Sequence, residues 1–219
     1  MIIELSYHDL DTKEIDLKNN IIEATQFRPD YISVFSYYIK LVKKISQNSF
    51  KIATPIDYPL GISDIKTRQT EVINAIKNGA NKLDIVIPTL YIVNRRYDKF
   101  REDIQSNLDL CINAGIDITY MLEYRIFNHL ALTKIANIVK EHGLQTIYAS
   151  TGYMLDDIGD NLIASMYLAK KTDMNTIING NIWNKDQMKL IINNKPYGAR
   201  FKNLYALKLW HEQKQKNQK

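Results

Sequence analysis

Short apolar runs rich in β-branched and aromatic residues recur along the chain, at 1–5, 31–35, 51–54, 82–87, 117–122, 146–149, 175–178 and 197–200. Runs with no clear polar side suit strands that are buried on both faces, as in parallel sheets. The intervening segments carry apolar residues at helical spacing. In 63–78 the residues Ile65, Val72, Ile73 and Ile76 share a face, Ser63 is placed to cap the start, and Gly79 follows the end. The segment 97–114 puts Phe100, Ile104, Leu108, Cys111 and Ile112 on one stripe before Gly115, and 128–140 and 156–171 repeat the pattern. Eight strands alternating with about eight helices predict a (β/α)8 TIM barrel of the α/β class. A doubly wound open sheet competes less well, because no glycine-rich first turn is present. Nothing resembling a linker interrupts the chain, so one domain is expected over 1–209, with a basic, frayed tail at 210–219.

The barrel prediction points to where chemistry should be sought, because loops that follow the strands gather at one mouth. That rule selects Glu4 and Ser33 in the first two strands, Thr54 and Asp57 at the third, and Asp84 in the fourth. It continues with Glu123 and Arg125 after the fifth strand, Tyr148, Ser150, Thr151 and Gly152 around the sixth, Asn179 and Gly180 after the seventh, and Arg200 at the eighth. Composition narrows the setting. The 219 residues are 45% hydrophobic and 24% charged, enough for a core and too apolar for a disordered chain. No run reaches the roughly 20 apolar residues of a membrane span, and no signal peptide opens the chain, so a cytoplasmic protein without membrane contact is expected. The net charge is +5, of which the stretch 208–219 carries +3; no basic face or motif suggests nucleic acid. One cysteine, Cys111, excludes an internal disulfide and a thiolate metal cage.

Ser150-Thr151-Gly152 after the sixth strand and Leu83-Asp84-Ile85-Val86-Ile87-Pro88 in the fourth resemble segments of the deoxyribose-phosphate aldolase family. Lys51-Ile52-Ala53-Thr54 followed by Tyr58-Pro59-Leu60-Gly61, Met121-Leu122-Glu123, and Ile3-Glu4-Leu5-Ser6 extend the likeness in the same order from about residue 2 to 209. Glu4 stands where the family has aspartate, and Ser33 where some members have cysteine. The resemblance implies a class I aldolase barrel acting on a small phosphorylated sugar such as 2-deoxyribose 5-phosphate, with no cofactor and no metal. It also implies a strand-six lysine that attacks the carbonyl to form an imine, a strand-seven lysine that lowers that amine's pKa, and a strand-four aspartate for proton transfer. Asp84 matches the aspartate. Tyr148 and Ile177 fall at the two lysine positions, and neither can form an imine.

Phosphate contacts implied by the resemblance fall on Ser150, Thr151, Gly152 and Gly180. After strand eight, Arg200 replaces a small residue, and it either adds a bidentate anion contact or fills the pocket. Ser33, Thr54, Glu123, Ile177 and Asn179 are expected to complete the pocket. No lysine is expected inside the barrel, Lys82 being placed at the wrong end of its strand, and an ammonium reaching the floor beside Asp84 would overturn the reading of an inactive relative. The expected function is therefore a catalytically inactive or repurposed aldolase barrel that binds a small phosphorylated or anionic ligand. The alternative is an active carbon–carbon lyase using Asp84, Glu4 and Tyr148 for proton transfer. More ordinary roles compete for the same residues: Asp84 paired with Arg125 or Arg200, Tyr148 as core filling bonded to Asp84, and tyrosines 37, 38, 91 and 124 as packing. His8, His129, His142 and His211 show no metal spacing and read as loop or surface residues. Barrels of this size often dimerise through their outer helices, and a homodimer is the expectation, although no residue marks the face.

Overall fold

A computed structural model describes residues 1–154, 157–182 and 184–216. Eight parallel strands close into a barrel in sequence order: β1 (Ile2–Tyr7), β2 (Tyr31–Val34), β3 (Lys51–Ile56), β4 (Lys82–Val86), β5 (Asp117–Met121), β6 (Thr146–Tyr148), β7 (Asn175–Gly180) and β8 (Gly198–Phe201), with β8 pairing back onto β1. Closure removes the unpaired sheet edges that an open arrangement would leave. Outside lie α1 (Glu14–Ala24), α2 (Ile39–Ser46), α3 (Ile65–Asn78), α4 (Thr89–Val93), α5 (Tyr97–Ile112), α6 (His129–Glu141), α7 (Ile158–Thr172), α8 (Lys185–Asn194) and α9 (Leu204–Lys216). The (β/α)8 expectation therefore holds.

Side chains alternate between the two faces of each strand, and register carries that alternation around the ring. Glu4 pairs with Arg200, Asp84 with Thr119, Val86 with Met121, Met121 with Tyr148, and Tyr148 with Ile177. These residues share the inward face. Val86, Met121, Tyr148 and Ile177 form a small apolar cluster inside the ring, separate from the large core between strands and helices. Thr54 pairs with Leu83 and shares its helix-facing side. The expectation that Thr54 lines the pocket is thus corrected by one step of register.

Helix boundaries differ from expectation where polar residues do apolar-looking work. The N-cap of α3 is Asp64, whose carboxylate accepts from the Thr67 amide at 2.9 Å, rather than Ser63. The buried side of α3 is Arg68, Val72 and Ala75, while Ile73 is exposed. On α5, Asp103 and Asn107 are buried beside Phe100 and Ile104, and Ile112 is exposed. The reason is one ion-pair network: the fully buried Arg68 guanidinium bonds Asp103 at 2.8 Å, Asp57 at 2.6 Å and the Val86 carbonyl at 2.7 Å. The carboxylate of Asp103 also accepts from the Tyr120 hydroxyl at 3.1 Å. Asp157 caps α7; Asp156, the expected start of that helix, lies outside the described residues.

The C-terminal stretch is also more ordered than its composition implies. Helix α9 continues to Lys216 and buries Trp210 and Gln213, with the indole 6.0 Å from the Phe201 ring. Residues 217–219 lie outside the described residues. Among the described residues, no helix is long and apolar enough to cross a membrane.

Candidate active site at the barrel mouth

Inside the ring, just below the mouth, four charged side chains and a phenol form a closed network. Glu4, Asp84, Tyr148 and Arg200 are all at most 1% exposed, and Lys82 is 4% exposed. The Arg200 guanidinium donates to Glu4 at 2.8 Å, to the Tyr148 hydroxyl at 2.5 Å and to Asp84. The Tyr148 hydroxyl donates to Glu4 at 2.5 Å. Lys82 sends its ammonium to Glu4 at 2.5 Å and to the Tyr148 oxygen at 2.7 Å, and it stands 3.2 Å from Asp84 Oδ1. That last contact is an ion pair without hydrogen-bond geometry, and Asp84 Oδ1 and Arg200 Nη1 are the two atoms of the network left without a hydrogen bond.

The expectation of an interior without lysine is therefore wrong. Lys82 is two residues before Asp84, hence on the same face, and two strand residues rise about 6–7 Å, a distance that a lysine stem spans. Its α-carbon is at the far end of the strand and its nitrogen is beside Asp84. An inactive barrel cannot be argued from a missing amine. The nitrogen nevertheless has Glu4, Asp84 and Tyr148 around it, and Lys82 lines a cavity on the opposite, N-terminal face together with Tyr31, Cys111, Ile177 and Tyr197.

Two positive and two negative charges balance within the floor. Burial by itself would raise the Glu4 pKa, but Lys82 and Arg200 outweigh it and hold the carboxyl at about 2. Burial pushes the Tyr148 phenol well above its ordinary value; Arg200 opposes this, and Asp84 and Glu4 add to it. Asp84 thus takes Arg200 as its partner, whereas Arg125 lies at the surface, 3.9 Å from Asp160. Tyr148 finds Glu4 rather than Asp84.

The turn after β6 is occupied from within. The Glu123 carboxylate accepts from the Thr151 amide at 3.1 Å, the Thr151 hydroxyl at 2.7 Å and the Ser150 hydroxyl at 3.4 Å. The Gly152 amide donates to Ser150 Oγ at 2.9 Å, and the Tyr153 amide to Thr151 Oγ1 at 3.3 Å. A carboxylate thus takes the place that amides in such a turn offer to an anion. Gly152 sits at φ +71°, and a Cβ there would meet the Asn179 amide at 2.9 Å. Asn179 Nδ2 in turn donates to the Thr151 carbonyl at 2.8 Å, which fixes the turn against β7. Gly180 is the last residue of β7 and is buried.

Above the floor, the mouth opens into a cavity of about 410 Å3 lined by Ser6, His8, Asp9, Leu10, Asp11, Tyr58, Tyr153, Asn179 and Lys202. A volume in this range suits a small metabolite. Lys202, immediately after β8 and two residues from Arg200, donates to the Gly152 carbonyl. His8 packs its ring against Phe35 and Tyr58 and bonds Ser33 Oγ at 3.0 Å. Neither residue was expected at the mouth, although period-two alternation from Glu4 through Ser6, and from Arg200, marks both. Among the described residues, no group of three or more His, Cys, Asp or Glu is arranged to hold a metal.

Deoxyribose-phosphate aldolases are among the known proteins of similar sequence. The deoxyribose-phosphate aldolase of Enterococcus faecalis is 26% identical over 153 residues, 68% of each chain, and that of Mycoplasmopsis pulmonis is 26% identical over 186 residues, 83% of this chain and 82% of the other. The chain is a relative of the deoxyribose-phosphate aldolases. The aldolase of Histophilus somni reaches 30% identity over 140 residues, 64% of this chain and 60% of its own. No protein-family model matches. Among solved structures, an aldolase designated QR15 superposes with a TM-score of 0.84 at 17% identity, covering 99% of this chain and 95% of its own. A tetrameric deoxyribose phosphate aldolase from Aeropyrum pernix gives 0.83 at 18%, covering 97% and 89%. Both show the shared barrel.

Proposed function

We propose that this aldolase-like barrel binds a small phosphorylated sugar at its mouth and has been repurposed away from imine chemistry at strands six and seven. The observation that carries the reading is the closed, charge-balanced floor, in which Tyr148 and Ile177 occupy the positions the resemblance gives to the two lysines and Lys82 Nζ is enclosed by Glu4, Asp84 and Tyr148. A nucleophilic amine needs a free lone pair and a route to the carbonyl. Here the Lys82 nitrogen bonds Glu4 and Tyr148 and is not among the groups that line the mouth cavity. Kinship with aldolases whose names specify deoxyribose phosphate supports the ligand class, and Lys202 supplies a cation where the ligand's anionic end would sit. Asp9 and Asp11, exposed at the rim, suit sugar hydroxyls better than a second anion.

Lys202 also favours a second reading. It is an amine in the mouth cavity itself, and an imine formed there would restore aldolase chemistry from a different strand. The two readings separate in one experiment: protein incubated with 2-deoxyribose 5-phosphate, with and without borohydride, followed by intact mass and thermal melting. Repurposing predicts a rise in the melting temperature that deoxyribose lacking phosphate does not produce, and no reduced adduct. An adduct mapping to Lys202 establishes the second reading, and one mapping to Lys82 shows that the floor opens.

The homodimer expectation stays a proposal. The tetrameric state named for the Aeropyrum pernix aldolase supports self-association, and light scattering on the purified chain tests it.

A further inference from the structure

His8 is the mouth residue with a free chemical role. Its ring lines the cavity beside Ser6, Tyr58, Asn179 and Lys202, held by tilted contacts with Phe35 and Tyr58, whose ring centres are 5.3 and 5.2 Å away. Nε2 is 3.0 Å from Ser33 Oγ, and among the described residues Nδ1 has no hydrogen-bond partner. Arg200 and Lys202 from the end of β8, Glu4 from β1, Tyr58 from the loop after β3, Asp9 and Asp11 from the loop after β1, and Tyr153 from the loop after β6 are the titratable and charged groups around it. Burial, then the two cations, hold the imidazole well below its ordinary pKa, so it is neutral at pH 7. A neutral imidazole has one donor and one acceptor nitrogen. Glu4, Asp84 and Tyr148, the proton-transfer groups expected from sequence, are committed to the buried floor and line no part of this cavity.

We infer that His8 is the catalytic acid–base residue of the mouth, exchanging a proton through Nδ1 with the carbon next to the carbonyl of a small phosphorylated sugar. The inference rests on the mouth being a phosphosugar site. Ser33 is its positioning residue: Nε2–H donates to Ser33 Oγ, which leaves the Nδ1 lone pair to the cavity. In the step, the C–H bond breaks and its electron pair becomes the carbon–carbon double bond of an enolate. The carbonyl π pair moves to oxygen and the proton goes to Nδ1, while Lys202 stays with the phosphate at the other end of the sugar. Return of a proton from the imidazolium restores the sugar. No oxidant or further reactant is consumed, and a proton exchanged with solvent between the two halves leaves an isotopic record.

That record is the test. The full chain is incubated with 2-deoxyribose 5-phosphate in deuterium oxide, and proton NMR follows the hydrogens at C2, while thermal melting reports binding of the same probe. Loss of the C2 signals is expected, without a borohydride adduct. His8→Gln should slow the exchange by about 100-fold or more and still show probe-dependent stabilisation. Ser33→Ala should slow it less and displace its pH profile. Exchange should be level above neutral pH and fall as acid protonates His8. Stabilisation without exchange overturns the role of His8 and leaves the binding reading intact. Absence of both overturns the two together. Exchange that survives in His8→Gln but disappears in Lys202→Met, with a trapped adduct, assigns the chemistry to an imine instead.

Discussion

Glu4 shows how much one residue owes to its surroundings. A carboxylate in an apolar ring would be neutral if it were alone; between Lys82 and Arg200 it is ionised down to about pH 2, against an ordinary value of 4.5. Between those values the native state holds fewer protons on Glu4 than the unfolded chain does. Its stabilisation is therefore complete above about pH 4.5 and is lost as the pH falls towards 2, about 3 kcal/mol in all. Melting temperatures measured across this window should decline steeply in the wild type and less steeply in Glu4→Gln. Parallel curves would show that Glu4 is not the group linked to acid unfolding. At this scale the sequence marked Glu4, Asp84, Tyr148 and Arg200 as mouth residues, because each falls in or at the end of a barrel strand, where the loops that carry chemistry gather. Lys82 evades that rule because strand position fixes only its α-carbon, while its charge is at the end of a flexible stem.

Elements are joined by buried polar contacts as much as by apolar ones. Arg68 on α3 ties α5 through Asp103 and the turn after β3 through Asp57, while its third partner is the Val86 carbonyl at the end of β4. Removing one side of a buried pair leaves the other charge unpaired, which costs about 3–5 kcal/mol. Arg68→Met should therefore destabilise by about that amount in urea unfolding, and the double variant Arg68→Met, Asp103→Leu should regain part of it. No recovery would show that the packing of the arginine stem, not the charge pair, is what matters. The helices themselves were legible from their period, but Ile73 and Ile112 were put on the buried side where Arg68, Asp103 and Asn107 in fact lie. A hydrophobic period cannot anticipate a polar cluster that is satisfied only by residues from other elements.

For the molecule as a whole, closure depends on the last helix as well as the eight strands. Helix α9 covers β8 and α1 with Leu204, Leu207 and Trp210, while Lys208 reaches Glu23 at 2.5 Å. A chain ending at residue 203 should lose cooperative thermal unfolding and near-ultraviolet circular dichroism. A sharp transition in that truncated form would show that the ring closes without its final cover. The basic composition of 208–219 suggested a frayed end, and the burial of Trp210 outweighs it, because an indole against Phe201 removes more apolar surface than the lysines need to give up.

Strand order, helix placement and the barrel class were contained in the sequence, because short apolar runs buried on both faces and helical period are consequences of local backbone geometry. Kinship with the aldolases was contained there too, in collinear segments. The sequence offered Asp84 either Arg125 or Arg200, and tertiary structure decided which charges meet. Glu4, Lys82, Asp84, Tyr148 and Arg200 come from four strands, and closing the ring brings their side chains within hydrogen-bonding distance. It also put Glu123 on the turn amides of Thr151 and left His8 and Lys202 facing the cavity. Electrostatic partnership depends on distance and burial, and neither is a property of the chain until it has folded.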